Sequence, residues 1–251
     1  MRQLFAAAAL LLLACSAAQA EDTPWTADTA LLNNTEAAVQ SGGILAVASR
    51  VPQLEQALAN AKPAYSNGVT TYILADGPAE TLIASAMKPA PGITETVVVQ
   101  TPYPLISLYL ASYYDETNRF ADAVRVLDLG LSQGAVPGMA LGEMRAPLLI
   151  ERGEALNSLK RWDDALADFD QALKLSDVPD DLRAHMYRGR GISLTELGRL
   201  DDAEASYRQS LQIEPGNAVA LHELDYIARL RAGGQATTPG LAPLQPAAPG
   251  H

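Results

Sequence analysis

Two stretches of this chain obey one template, and that constrains its fold more than any other feature. Residues 146–179 contain Gly153, Ala155-Leu156, Leu159, Trp162, Ala165-Leu166, Phe169 and Ala172-Leu173; residues 184–217 contain Gly191, Leu194, Leu197, Leu200, Ala203, Tyr207, Leu211 and Pro215. Glycine and alanine stand twelve apart in both, at Gly153 and Ala165 and at Gly191 and Ala203, and the aromatic follows four later, as Phe169 and Tyr207. Positions three and four apart share a helix face, so Leu156-Leu159-Trp162 and Leu166-Phe169-Leu173 read as packing sets. Ala165 and Ala172 are small enough to let a paired helix approach. A unit of this kind buries its apolar face by stacking on copies of itself.

The pattern resembles the tetratricopeptide repeat family, in which a small residue, an alanine, an aromatic and a second small residue hold fixed places in a helix-turn-helix unit. An earlier copy is aligned by Leu108, Ala111, Tyr114, Phe120, Ala123, Leu127 and Leu131, with Leu127 in the aromatic place and Gly130 in the second small place. The equivalent alanines are 42 and 38 residues apart, from Ala123 to Ala165 and on to Ala203. Against a family period of about 34 this places insertions at Gly134 to Gly142 and at Ser176 to Asp181. Three repeats over 103–217 are expected, closed by a helix over 218–232 that offers Leu221, Leu224, Ile227, Ala228 and Leu230 to the end of the stack and stops at Gly233-Gly234. Residues 233–251, without Asp, Glu, Lys or Arg, read as a flexible Pro, Gly and Ala-rich tail.

Residues 21–102 carry a different pattern. Apolar runs at Ile44 to Ala48, Thr70 to Leu74 and Glu95 to Gln100 read as strands, with a helix over Thr29 to Gln40 before the first and helices over Pro52 to Ala61 and Ala79 to Met87 between them. That order predicts a small parallel α/β unit, and the alternative is degenerate helical hairpins that extend the stack. The fold class is therefore mainly α, a helical repeat stack preceded by a small α/β unit. In a parallel sheet Ser49-Arg50, Asp76-Gly77-Pro78 and Thr101-Pro102 would meet at the strand C-terminal ends, where such folds bind small ligands. Asp76 also reads simply as a helix-start residue.

The first twenty residues read as an export leader, with Arg2, the apolar run Leu4 to Ala14, and small residues at Ala18 and Ala20 before a cleavage site. Leu12-Leu13-Ala14-Cys15 also resembles a bacterial lipoprotein-processing motif, in which Cys15 would carry the lipid. The expected location is the periplasm or outside the cell, or a lipid anchor at an envelope membrane. The whole chain has 18 basic and 29 acidic side chains, a net charge of −11, which argues against phosphate-backbone binding. With Cys15 as the one cysteine and three histidines, neither a metal site nor a cofactor is expected. Asp163-Asp164 and Asp201-Asp202 complement the starts of helices rather than form a metal cluster. Glu151, Glu154, Glu196 and Glu204 read as solvated rather than catalytic. The chain has no GxSxG elbow and no Gly-rich nucleotide fingerprint, so an enzyme is not expected.

Members of the resembling family line a curved trough with the first helix of each unit and bind extended segments of other proteins there. Carried over position by position, the trough residues are Ser112 and Asp115-Glu116, then Ile150, Glu154 and Asn157, then His185, Arg188, Ile192, Thr195 and Glu196, and on the last helix His222, Tyr226 and Arg229. The Lys and Asn set of carboxylate-clamp members is not reproduced, so chaperone C-termini are not the implied ligand. The expected role is noncovalent binding of another envelope protein or an extended peptide. The alternatives are a small-molecule or catalytic α/β unit using Arg50 and Asp76, and self-association through the outer face of the repeats.

Overall fold

The computed structural model describes residues 23, 25–62, 64–132, 142–176 and 178–233. The leader with Cys15, most of the Gly134 to Gly142 connection and nearly all of the tail lie outside them.

Three turns show most directly how the repeat is made. Asn118, Lys160 and Gly198 take φ of 58°, 60° and 73°, the left-handed conformation that ends a helix. At each, the next N–H reaches back to a carbonyl five residues earlier, Arg119 to Tyr114 at 2.7 Å, Arg161 to Leu156 at 2.9 Å and Arg199 to Leu194 at 2.9 Å. Those arginine side chains then hold an aspartate in the first turn of the following helix, Asp122, Asp164 and Asp202, each at 2.7 Å. The turns thus close three helical pairs: α4 (Tyr103–Glu116) with α5 (Phe120–Ser132), α6 (Arg145–Ser158) with α7 (Trp162–Ala172), and α8 (Asp180–Glu196) with α9 (Leu200–Ile213). A single helix, α10 (Ala218–Arg231), closes the end, its Asn217 side chain accepting from the Ala220 N–H at 3.1 Å.

Glycines set the spacing of the pairs. A Cβ at Gly153 would sit 2.7 Å from the Phe169 ring, and one at Gly189 would sit 2.2 Å from it, so the fully buried ring of α7 lies between the backbones of α6 and α8. Gly191 meets the Tyr207 ring the same way at 2.7 Å. In the first pair Leu127 fills the aromatic place, and a Cβ at Gly130 would sit 2.4 Å from the Ser107 hydroxyl. Trp162, at the start of α7, is half-buried. Under α10 the buried residues are Ala220, Tyr226 and Ile227, whereas Leu221 and Ala228 are exposed.

The N-terminal part combines both expectations. A 3-10 segment (Ile44–Arg50) and α2 (Val51–Ala59) pack on α4, and α1 (Thr26–Gly42) packs on both of them, which extends the helical layer. Side chains secure them: Tyr103 donates to Asp28 at 3.0 Å, and Tyr114 donates to Glu55 at 2.6 Å. Against the burial that raises it, the Tyr114 hydroxyl and Arg125 hold the Glu55 carboxyl below the usual range. The expected strand at Ile44 to Ala48 is therefore corrected to a 3-10 turn of chain. Only Val47 of that run is fully buried and Leu45 is mostly exposed, so there is no second apolar face for a sheet to cover.

The sheet has three strands in the order β1 (Ala64–Ser66), β2 (Thr70–Ala75), β3 (Glu95–Gln100). Strands β2 and β3 are parallel, Thr70 opposite Glu95, joined through α3 (Pro78–Ala86); β1 is antiparallel to β2, Ala64 opposite Ile73. The purely parallel sheet is thus corrected to a mixed one whose first strand arises from the Asn67-Gly68 hairpin. The Asn67 side chain accepts from the Val69 and Thr70 N–H groups at 3.0 and 2.8 Å, and Gly68 takes φ +92°.

The glycine–aromatic contact predicts an inverted sign for a helix substitution. Ala normally favours a helix over Gly by about 1 kcal/mol, yet Gly189→Ala should destabilise the fold by about 1–3 kcal/mol, because the Phe169 ring has Gly153 on its other side and cannot move away. Urea denaturation checks this; a gain in stability would show that the ring has room.

The candidate binding trough

The first helices of the units, α4, α6, α8 and α10, follow one another side by side. Their shared face holds the residues inferred from the sequence, which the structure sorts into those that bind the helices together and those left toward solvent.

Asn157 belongs to the first group. It is only 9% exposed, donates to the Gly189 carbonyl at 3.3 Å and accepts from the Ser193 hydroxyl at 2.8 Å, so its amide joins α6 to α8. Arg188 also turns inward, to Glu214 at 2.5 Å and Ser210 at 3.2 Å. Tyr226, Ile150, Ser112 and Thr195 are buried, and Ile192 packs beside Tyr207 and Leu194. These side chains set the shape of the face more than its chemistry.

Glu154 and His185 form a pair across α6 and α8, with Glu154 keeping 36% of its side chain exposed. Glu196, half-buried, lies near Glu223 of α10; burial and that neighbour raise its pKa. His222 is exposed and stands 3.4 Å from Glu223. Arg229 is exposed and pairs with Asp225 of its own helix at 3.3 Å. Glu154, His185, Ile192, Glu196 and His222 thus remain at least partly open on successive helices.

Glu151 corrects the sequence reading, which left it in solvent. It is 4% exposed, its Oε2 has no hydrogen-bond partner among the described residues, and the same holds for Oδ1 of Asp115 on α4. Burial, with Glu154 and Asp115 nearby, pushes the Glu151 carboxyl up to about 8; burial, with Glu154, pushes Asp115 up to about 7. Against its own burial, His185 and then Arg188 hold Glu154 below the usual range. A signal for Glu151 was present in the repeat. Its equivalents 42 residues earlier and 38 later are Tyr109 and Gly189, both packed positions.

The α/β unit does not assemble the site expected at its strand ends. Asp76 is buried and accepts the Met144 N–H at 2.9 Å, tying β2 to the start of α6, while Arg50 turns back onto the Ala46 carbonyl at 3.2 Å. A cleft of about 860 Å³ lies elsewhere, lined by Trp25, Asp28, Gln53, Gln56, Lys62 and Tyr103 among others. Among the described residues no three His, Cys, Asp or Glu side chains are arranged to hold a metal, and no helix is long and apolar enough to cross a membrane.

The raised carboxyls give stability a definite dependence on pH. Unfolded, they titrate near about 4; folded, near 7 and 8. Their stabilising protons are therefore in place below about pH 4 and are lost as pH rises through 7 and 8. In between, each adds a fall of up to about 1.4 kcal/mol per pH unit. Urea midpoints measured from pH 5 to pH 9 should decline, and Glu151→Gln should flatten the decline. An unchanged slope in that variant would mean that Glu151 is ionised and solvated.

A tetratricopeptide repeat model matches residues 144–214. No curated protein matches the chain. Among solved structures, the first tetratricopeptide domain of human RPAP3 is 24% identical, covering 52% of this chain and 94% of that one, with a TM-score of 0.45. The first such domain of Spaghetti (RPAP3), bound to the HSP90 peptide SRMEEVD, is 24% identical over 53% of this chain and 97% of its own, with a TM-score of 0.44. MamA AMB-1 is 13% identical over 82% of this chain and 84% of its own, with a TM-score of 0.42. The family match falls on the second and third helical pairs, the stretch in which the turn and the glycine–aromatic contact repeat.

Proposed function

We propose that this chain is an exported, noncatalytic interaction module that holds an extended segment of another envelope protein against the face formed by α4, α6, α8 and α10. One observation carries the reading: Glu154, His185, Ile192, Glu196 and His222 stay at least partly open on three neighbouring first helices, while Asn157 and Arg188 beneath them fix the spacing. Side chains on successive rigid helices can meet successive residues of an extended chain, and pre-set spacing lowers the entropy lost on binding. The repeat family supports the same role. Export rests on Arg2, the apolar run Leu4 to Ala14 and the small residues before Glu21. On this reading the mature chain is released after Ala20, with a lipid on Cys15 as the alternative ending.

A photo-crosslinking residue placed at position 192 should capture peptides selected from a random displayed library, whereas the same residue at position 163, exposed at the start of α7, should not. Capture confined to position 163 would move the binding surface to the second helices. Mass measurement of the protein recovered from its source cell should give Glu21 as the N-terminus. A Met1 start would remove export, and a lipidated Cys15 would replace release by anchoring.

A further inference from the structure

The repeat allows one seam between first helices to be compared with the next. Asp115 and Asn157 occupy the same place in successive units, 42 residues apart, and so do Glu151 and Gly189, 38 apart. In the α6/α8 seam the Asn157 amide meets the Gly189 carbonyl and the Ser193 hydroxyl, and both its ends are bonded. In the α4/α6 seam a carboxylate, Asp115, stands where the amide stood, and a second, Glu151, grows from the place of the glycine. Two acceptors cannot bond each other without a proton. Accordingly, Asp115 Oδ1 and Glu151 Oε2 are both buried and without a hydrogen-bond partner among the described residues, and Glu151 is 4% exposed. Glu154, one turn from Glu151, brings a third carboxyl to the rim, where one oxygen is engaged by His185. Arg188 of α8 is committed to Glu214 and, with His185, acts on Glu154, while among the described residues no cation pairs with Asp115 or Glu151.

We propose that the α4/α6 seam is a cation-accepting subsite of the trough, in which Asp115, Glu151 and Glu154 receive a lysine or arginine side chain from the bound segment. The proposal rests on the trough reading above and adds the chemistry of its ligand. A buried acceptor without a donor destabilises the fold, and an ammonium or guanidinium group supplies several donors together with the opposite charge. A long side chain suits the geometry, because the exposed acid, Glu154, lies at the rim and the buried one, Glu151, beneath it. Farther along the same face, Glu196 and Glu223 continue the negative field, and the net charge of −11 draws a basic segment from a distance.

The test uses the whole chain and three short fluorescent peptides of equal length, alternating alanine with lysine, glutamate or serine, read by anisotropy at near-physiological salt. The lysine peptide should bind at least about tenfold tighter than the serine peptide. The paired change Asp115→Asn with Glu151→Gln should abolish that preference, while Asp163→Asn with Asp164→Asn, which removes equal charge from the start of α7, should leave it within about twofold. Circular dichroism confirms folding, and Asp115→Asn alone serves if the pair unfolds. No preference for lysine, or equal losses in both variants, overturns the subsite. If serine or glutamate peptides still crosslink at position 192 the trough reading survives that failure; if no peptide crosslinks there, both fall.

Discussion

The Phe169 ring, held between the backbones of Gly153 and Gly189, is the contact on which the stack depends. An aromatic ring on a second helix is wide enough to touch the first helix of its own unit and of the next. Both can approach it only where they carry no Cβ. That one contact sets the spacing of α7 on α6 and of α7 on α8 at once. Tyr207 against Gly191 repeats the inner half of the arrangement, and α10 brings Ala220 and Ile227 in place of another pair. The first unit achieves a similar approach with Leu127 and with Gly130 against Ser107.

Polar side chains then lock the register that packing allows. Arg152 bridges Asp128 of α5 and Asp168 of α7, both at 2.6 Å, and Arg190 of α8 contacts Asp170 of α7 at 2.7 Å and Ser206 of α9 at 2.6 Å. These two arginines hold equivalent places, so the same device stitches successive units on the side of the second helices. Because each guanidinium is only about a quarter exposed, its hydrogen bonds are less open to water than those of the surface pairs at the turns. Asn157 plays the corresponding part on the side of the first helices.

How much of this was legible follows from where the information lies. The repeat was legible because its signals, Gly153, Ala165, Phe169 and their echoes, recur at fixed spacing, and two independent stretches agree. The common turn was legible only afterwards: Asn118, Lys160 and Gly198 share a conformation but no residue type, and Lys160 has no propensity for it. The N-terminal part has no second copy to compare. There a five-residue apolar run at Ile44 to Ala48 suits a strand or a helical turn equally well, and the tertiary contacts of Val47 decide. The hairpin strand β1 was missed although Asn67-Gly68 signals it, because Ala64 to Ser66 is short and has no buried residue to set an alternation. In the trough the difficulty was different. Periodicity shows that a side chain lies on a helix face but not whether a neighbouring helix consumes it, which is why Asn157 and Glu151 exchanged roles between sequence and structure.

That exchange explains the chemistry of the face. In a repeat stack each polar residue on a first helix is either spent on the next unit or left for a ligand, and the sequence decides which by what it offers across the seam. Asn157 meets a carbonyl and a hydroxyl and is spent. Asp115, in the same place one unit earlier, meets Glu151 and finds no donor. Replacing Glu151 with a glycine, as at Gly189, would expose a backbone carbonyl, an acceptor that Asp115 still could not use. The mismatch therefore begins with Asp115, an acid in the place of an amide, and Glu151 adds a second acceptor to it. The cost of burying both falls on the folded state whenever they are ionised, and a donor from outside the chain removes that cost only where it can reach the seam. A binding face built this way selects by charge at one position and by shape elsewhere, since its remaining helices are already fixed by Phe169, Arg152 and Arg190.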